Sequence, residues 1–118
     1  MSFHFCSRSW EVRDTDDGTL VKLANRDLDK ETIPVLVDEL LELVLESGRP
    51  NLYLDFSEIR VLPSVVLGKM LALDGQLREH GGRVIMIHLD SHLYMICQAT
   101  RLTEVLDIRP DALVGSIA

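Results

Sequence analysis

Asn51-Leu52-Tyr53-Leu54-Asp55-Phe56 runs into Ser57-Glu58-Ile59-Arg60-Val61-Leu62-Pro63 and then into Ser64-Val65-Val66-Leu67-Gly68. The first six residues alternate, with Leu52, Leu54 and Phe56 on one face, the pattern of a strand. From Ser64 the period changes to that of a helix, because Val66, Met70, Leu73 and Leu77 recur at helical spacing to about His80. Gly81-Gly82 closes that run, and Arg83-Val84-Ile85-Met86-Ile87-His88-Leu89 follows, nearly all apolar, as a strand covered on both faces would be. Strand, helix and strand in this succession predict a right-handed crossover and a parallel pair.

The same unit extends toward the amino terminus. Thr32 starts a helix whose apolar stripe is Ile33, Leu36, Val37, Leu40, Leu41 and Val44, while Asp38, Glu39, Glu42 and Glu46 face water. Pro34 is acceptable in its first turn, Gly48 sits where a left-handed cap belongs, and Pro50 prevents a restart. Before it, Asn25 to Thr32 is polar and reads as a loop. Trp10-Glu11-Val12-Arg13 and Thr19-Leu20-Val21-Lys22-Leu23 alternate on either side of the Asp14–Gly18 turn, which predicts an antiparallel hairpin with Val21 and Leu23 opposite Lys22. Toward the carboxyl terminus, Ser91 can cap a helix whose Leu93, Ile96 and Cys97 face inward. Glu104 to Ile108 reads as a last strand, and Asp111 to Ile117 as a terminal helix. The predicted order is β-β-α-β-α-β-α-β with a further α at the end. This is one α/β domain over residues 1–118, with its core at about 10–110. Its sheet is mostly parallel, of four to five strands with an antiparallel edge strand, packed against three to four helices.

Composition narrows the function. The 118 residues carry 12 Lys and Arg against 19 Asp and Glu, a net charge of −7, with no basic block, so nucleic acid is not expected as a partner. At 47% hydrophobic residues the chain can build a core, yet no apolar run approaches a membrane span. Met1 to Arg8 shows neither a long apolar stretch nor a small-residue cleavage site, so no secretory signal is expected and the chain is placed in the cytoplasm. Cys6 and Cys97 form no CxxC pair; a disulfide between them is open in principle, but two free thiols in a reducing compartment is the simpler reading.

Chemistry-bearing patterns are sparse. His88 and His92 are four apart, but the strand is expected to end between them, and no Cys or Glu stands at a metal-binding spacing. No metal and no cofactor is expected. There is no G-x-S-x-G elbow and no Gly-rich phosphate loop, and Cys97 on an apolar stripe reads as a packed thiol. An enzyme is therefore not expected. A small-molecule site beyond the carboxyl ends of the strands would fall at the Phe56–Ser64 loop, whose only cation is Arg60.

Taken in order, these pieces resemble the STAS domain, the module of bacterial anti-sigma factor antagonists. That family runs from an apolar strand ending in Asp, through a loop, to Asp-Ser-Ser-Gly-Leu-Gly at a helix start. A Gly-Gly closing turn and a Thr-Gly-Leu follow. Here Leu52 to Phe56 matches the strand, Ser64 with Leu67-Gly68 the helix opening, Arg78 to Val84 the closing turn, and Thr100-Arg101-Leu102 the late motif. The resemblance implies partner switching: the domain binds a kinase-type anti-sigma factor, and phosphorylation of the first Ser of the opening breaks the complex. The phosphoacceptor would be Ser64, with Glu58, Arg60, Pro63, Val65 and Gly68 around it as partner contacts; Ser57 and Thr100 are weaker acceptors. The sequence departs from the family where Pro63 replaces Asp, Val65 and Val66 replace a small residue and Gly, and Arg101 replaces Gly. These changes favour an alternative, a STAS scaffold that is not phosphorylated and serves self-association within a larger signalling complex. Without a switch, Ser64 would merely cap its helix.

Overall fold

The computed structural model describes residues 11–29 and 31–109. Strand β1 (Glu11–Asp14) and strand β2 (Gly18–Ala24) form the expected hairpin, with Glu11 opposite Lys22 and Asp14 opposite Thr19. Helix α1 (Ile33–Ser47), strand β3 (Asn51–Glu58), helix α2 (Ser64–Arg78), strand β4 (Val84–Ile87), helix α3 (Ser91–Ala99) and strand β5 (Asp107–Arg109) complete the order. The sheet has five strands in the order β1-β2-β3-β4-β5, and every pair after the hairpin is parallel. Consecutive right-handed crossovers that always move outward place each helix on the same face.

Side-chain alternation divides the sheet accordingly. Val21, Leu23, Leu52, Leu54, Phe56, Val84 and Met86 point to the helices and merge with Ile33, Leu36, Leu40, Val66, Met70, Leu73, Leu77, Leu93 and Cys97 in one core. Leu20, Tyr53, Ile85 and Ile87 form a second cluster on the opposite face, built from strand residues alone. Strand β4 is buried at all four positions, as its unbroken apolar run predicted. Two glycines permit close approach of neighbouring backbones. A Cβ at Gly18 would strike the Asn51 carbonyl, and one at Gly82 the Pro50 carbonyl.

The helix ends follow local chemistry. Gly48 terminates α1 in the left-handed region, at φ 75°, and Pro34 lies in its first turn, both as read from the sequence. In α3 the cap is Asp90, whose carboxylate accepts from the Leu93 N–H at 2.8 Å; Ser91, the expected cap, is instead the first helical residue. Helix α2 stops at Arg78, short of His80, and the chain reverses through Gly81 at φ 85°.

Two segments differ from their sequence reading for one reason: an apolar side chain must reach the core. Asn25–Leu28 winds as a short 3-10 turn because Leu28 is buried. Leu102–Glu104 does the same, since Leu102 and Leu106 both pack inward and the Leu106 N–H returns to the Leu102 carbonyl at 2.8 Å. The last strand is thereby displaced to Asp107–Arg109. The proposed helix at Asp111 to Ile117 lies outside the described residues, as does Cys6; Cys97 is a free, buried thiol. Burial pushes that thiol's pKa up, as expected for a packed cysteine.

The amino-terminal edge of the parallel strands is tied by three carboxylates. Asp74, on α2 and 2% exposed, accepts from the Val84 N–H at 2.9 Å and pairs with Arg78 at 3.0 Å and Arg83 at 3.6 Å. Both guanidinium groups also donate to the Val105 carbonyl, so α2, β4 and the segment before β5 meet at one point. Asp17, in the hairpin turn, accepts from the Tyr53 hydroxyl at 2.9 Å and the Asn51 amide at 3.2 Å. Asp14 pairs with Arg49 at 3.0 Å.

Candidate docking site

Opposite that tied edge, beyond the carboxyl end of β3, lies the loop that joins it to Ser64. Near its end β3 shifts register against β2 between Lys22 and Ala24, and there the Asp55 carboxylate accepts the Ser57 N–H at 2.8 Å. Ser57, a weaker acceptor candidate, lies within β3 and is exposed. Glu58 pairs with Lys22 at 3.3 Å, and that contact raises the Lys22 pKa. Next, Ile59 is fully buried and Leu62 nearly so, two anchors that hold the loop to the body. Between them Arg60 and Val61 are exposed, Val61 to 65%.

The loop backbone is also held from across the molecule. Asn25, at the end of β2, accepts with its Oδ1 from the Arg60 N–H at 2.6 Å and the Val61 N–H at 3.3 Å. Its Nδ2 donates to the Val61 carbonyl at 2.7 Å. One amide side chain therefore satisfies three backbone groups that a loop would otherwise leave to water.

Pro63 occupies the N-cap of α2, extended at φ −62° and ψ 145°, and its carbonyl receives the Val66 N–H at 3.0 Å. Its fixed φ suits that position, and its missing N–H is one the helix start would not have used. Ser64 is consequently the first helical residue, not the cap. It is exposed, and its hydroxyl has no hydrogen-bond partner among the described residues. Val65 is 47% exposed, whereas Val66 and Leu67 are buried and press the first turn onto the core. Gly68 faces solvent with nothing within 4 Å of where a Cβ would stand. The structure therefore brings Arg60, Pro63, Ser64, Val65 and Gly68 together along one loop and one helical turn. Glu58 stands at the end of β3, turned toward Lys22.

The remaining polar candidates sit elsewhere. The Thr100 hydroxyl donates to the Ile96 carbonyl at 2.9 Å, closing α3. Arg101 follows at φ 62°, the left-handed conformation that the Gly of the family motif would adopt without strain. On the sheet face that carries none of the described helices, a shallow cleft of about 200 Å³ is lined by Glu11, Arg13, Leu20, Lys22, Asp55 and His88, acids and bases in balance. Among the described residues, no three His, Cys, Asp or Glu side chains gather as a metal site would require. No described helix is long and apolar enough to cross a membrane.

Asn25 and Val61 were not singled out by the sequence reading. Asn25 looks like any loop residue, since its partners stand 35 and 36 positions away. Val61 differs from Ile59 and Leu62 only in which way it points.

Comparison with known proteins agrees with the fold. The STAS domain model matches residues 6–112. No curated protein matches the chain. Among solved structures, a candidate anti-sigma factor antagonist from Thermotoga maritima superposes with a TM-score of 0.73 at 16% identity, over 88% of this chain and 87% of that one. An anti-sigma-factor antagonist (STAS) domain protein from Planctomyces limnophilus gives 0.70 at 11% identity, over 87% and 91%. A chain of the stressosome, a signal integration and transduction hub, gives 0.70 at 15% identity, over 89% and 91%. At these identities the likeness is one of fold.

Proposed function

The chain belongs to the STAS domain family, and from that premise we propose that it is a cytoplasmic regulatory domain, not an enzyme, which binds a kinase-type anti-sigma factor through the Ser64 surface. The observation that carries this reading is the state of Ser64: an exposed hydroxyl on the first turn of α2 with no hydrogen-bond partner among the described residues, flanked in sequence by the exposed apolar side chains of Val61 and Val65. A hydroxyl committed to capping would be poorly available to a kinase; this one is not committed.

The effect of phosphorylation follows from charge and position. A phosphate on Ser64 would add about −1.5 to −2 charge at the amino end of α2, where the helix dipole favours an anion and the helix is not disturbed. The same charge placed between Val61 and Val65 would have to be desolvated when a partner covers them. The domain stays folded while the complex breaks, as a partner switch requires.

Pro63 and Val65 support a second reading. They place a rigid residue and an apolar one where the family motif has an Asp and a small residue, which suits permanent contact with another subunit more than recognition by a kinase. In that reading the chain is a scaffold that self-associates, and the likeness to a stressosome chain is consistent with it.

One experiment separates the two. The kinase-type anti-sigma factors of the source organism are purified, and each is mixed with wild type, Ser64→Ala or Ser64→Asp, with and without ATP. A partner switch gives binding by wild type and Ser64→Ala, none by Ser64→Asp, and a gain of one phosphate on wild type alone. Equal binding by all three, with no phosphate gained, would refute the switch. Self-association of all three at equal strength would establish the scaffold.

A further inference from the structure

Ile59 and Leu62 fix the two ends of the segment that carries Arg60 and Val61, but they do not fix its middle. The two residues between them expose their side chains and would be free to flicker between backbone shapes if only water met their peptide groups. Asn25 prevents this with the three hydrogen bonds described above, two accepted and one donated, at 2.6, 3.3 and 2.7 Å. The side chain is an amide and not a carboxylate for a reason visible in the geometry. A carboxylate could receive both N–H groups but would repel the Val61 carbonyl, whereas Asn offers an acceptor and a donor at once. Pro63 stiffens the far side of the same segment.

A surface already in its binding shape loses less conformational entropy when a partner arrives. We propose that Asn25 is a positioning residue of the docking surface, holding the Arg60–Val61 backbone in the shape that presents Val61 to the partner. The complementary feature on the partner is an apolar recess that takes the Val61 side chain, beside a carboxylate that meets the Arg60 guanidinium. This inference rests on the docking role proposed above and adds to it a residue outside the family motif.

The test has one arm that needs no partner. Amide hydrogen exchange of Arg60 and Val61 is measured in wild type, Asn25→Asp and Asn25→Ala. The expected result is about tenfold faster exchange in Asn25→Ala at these two amides and little change in β3 or α2, with Asn25→Asp between the two. Unchanged exchange at Arg60 and Val61 in Asn25→Ala overturns the proposal. The second arm measures binding to the purified kinase-type anti-sigma factors by wild type, Asn25→Ala, Val61→Ala and the double variant. Each single change is expected to weaken binding about tenfold, and the double variant to be little worse than either, because Asn25 acts through Val61. Additive losses would reduce Asn25 to a general structural role, and unaltered affinity with accelerated exchange would separate the latch from docking. If wild type binds none of the kinases, the proposed function fails together with the docking half of the inference, while the exchange arm still decides whether Asn25 orders the loop.

Discussion

The two edges of the parallel sheet use polar side chains in opposite ways. At the amino-terminal edge, Asp74, Asp17 and Asp14 join regular elements to one another, and the Asp74 carboxylate is almost wholly enclosed. At the carboxyl-terminal edge, Asn25 holds the loop after β3, and the side chains presented by that loop and the first turn of α2, Arg60, Val61 and Ser64, are exposed. Among the described residues the Arg60 guanidinium donates only to the Ser57 carbonyl, at 3.3 Å. One edge makes the molecule rigid; the other offers a defined surface and little else. The difference teaches that the proposed docking surface can be altered without touching what holds the domain together.

Substitutions should break or sharpen that contrast. The largest effect is expected from Asp74→Ala, which orphans the Val84 N–H and leaves Arg78 and Arg83 without their shared carboxylate. Loss of a buried, multiply bonded charge costs about 3 kcal/mol, read from the urea midpoint of unfolding. A loss below about 1 kcal/mol would show that the closed edge is not closed by this residue.

Tyr53→Phe tests the same edge through pH. Burial first, and then the Asp17 carboxylate, hold the Tyr53 phenol above its ordinary pKa. The unfolded phenol ionises near about pH 10, so the stability this clasp provides is complete below that pH and drains away as pH rises through the folded value. Tyr53→Phe is expected to cost about 1 kcal/mol at neutral pH and to show a flatter loss of stability above about pH 10. An unchanged alkaline slope would remove Tyr53 as its source.

On the open edge the effects shrink or reverse. Gly68→Ala fills empty space on an exposed helical face and should stabilise the fold by about 0.5–1 kcal/mol, seen as a higher thermal midpoint. Ser64→Ala should change stability by less than about 0.5 kcal/mol, because the hydroxyl it removes has no hydrogen-bond partner among the described residues. A loss near about 1 kcal/mol, the worth of a helix cap, would contradict that placement.

The contrast also explains which features were legible in the sequence. Gly48 and Pro50 bound α1, the alternation of Leu52, Leu54 and Phe56 places β3, and the unbroken run Val84–Ile87 marks a strand buried at every position. All of these are local signals, and the fold class follows from their order. Asp74 and Asn25 act through partners brought near only by folding, so neither is marked by period or motif. Asp74 reads as one more acidic residue on a helix, and Asn25 as one more polar residue in a loop. Ser64 was legible as a position through the family motif, but the capping role that its residue type suggested is not the one it has. Pro63 takes the N-cap and moves the serine one residue into the helix. The last strand was misplaced for a different reason, since Leu102 and Leu106 satisfy helical and extended spacing alike until the core claims both.

From β1 to β5, the spatial order of the strands is their order in the chain. Every strand therefore pairs with the one made just before it, and no segment must wait for a distant piece to arrive before it can dock. Each βα crossover closes an interval of only about 30 residues, a modest entropic requirement. Such a chain can accrete its sheet strand by strand as it leaves the ribosome, with β5 the last of the described strands to join.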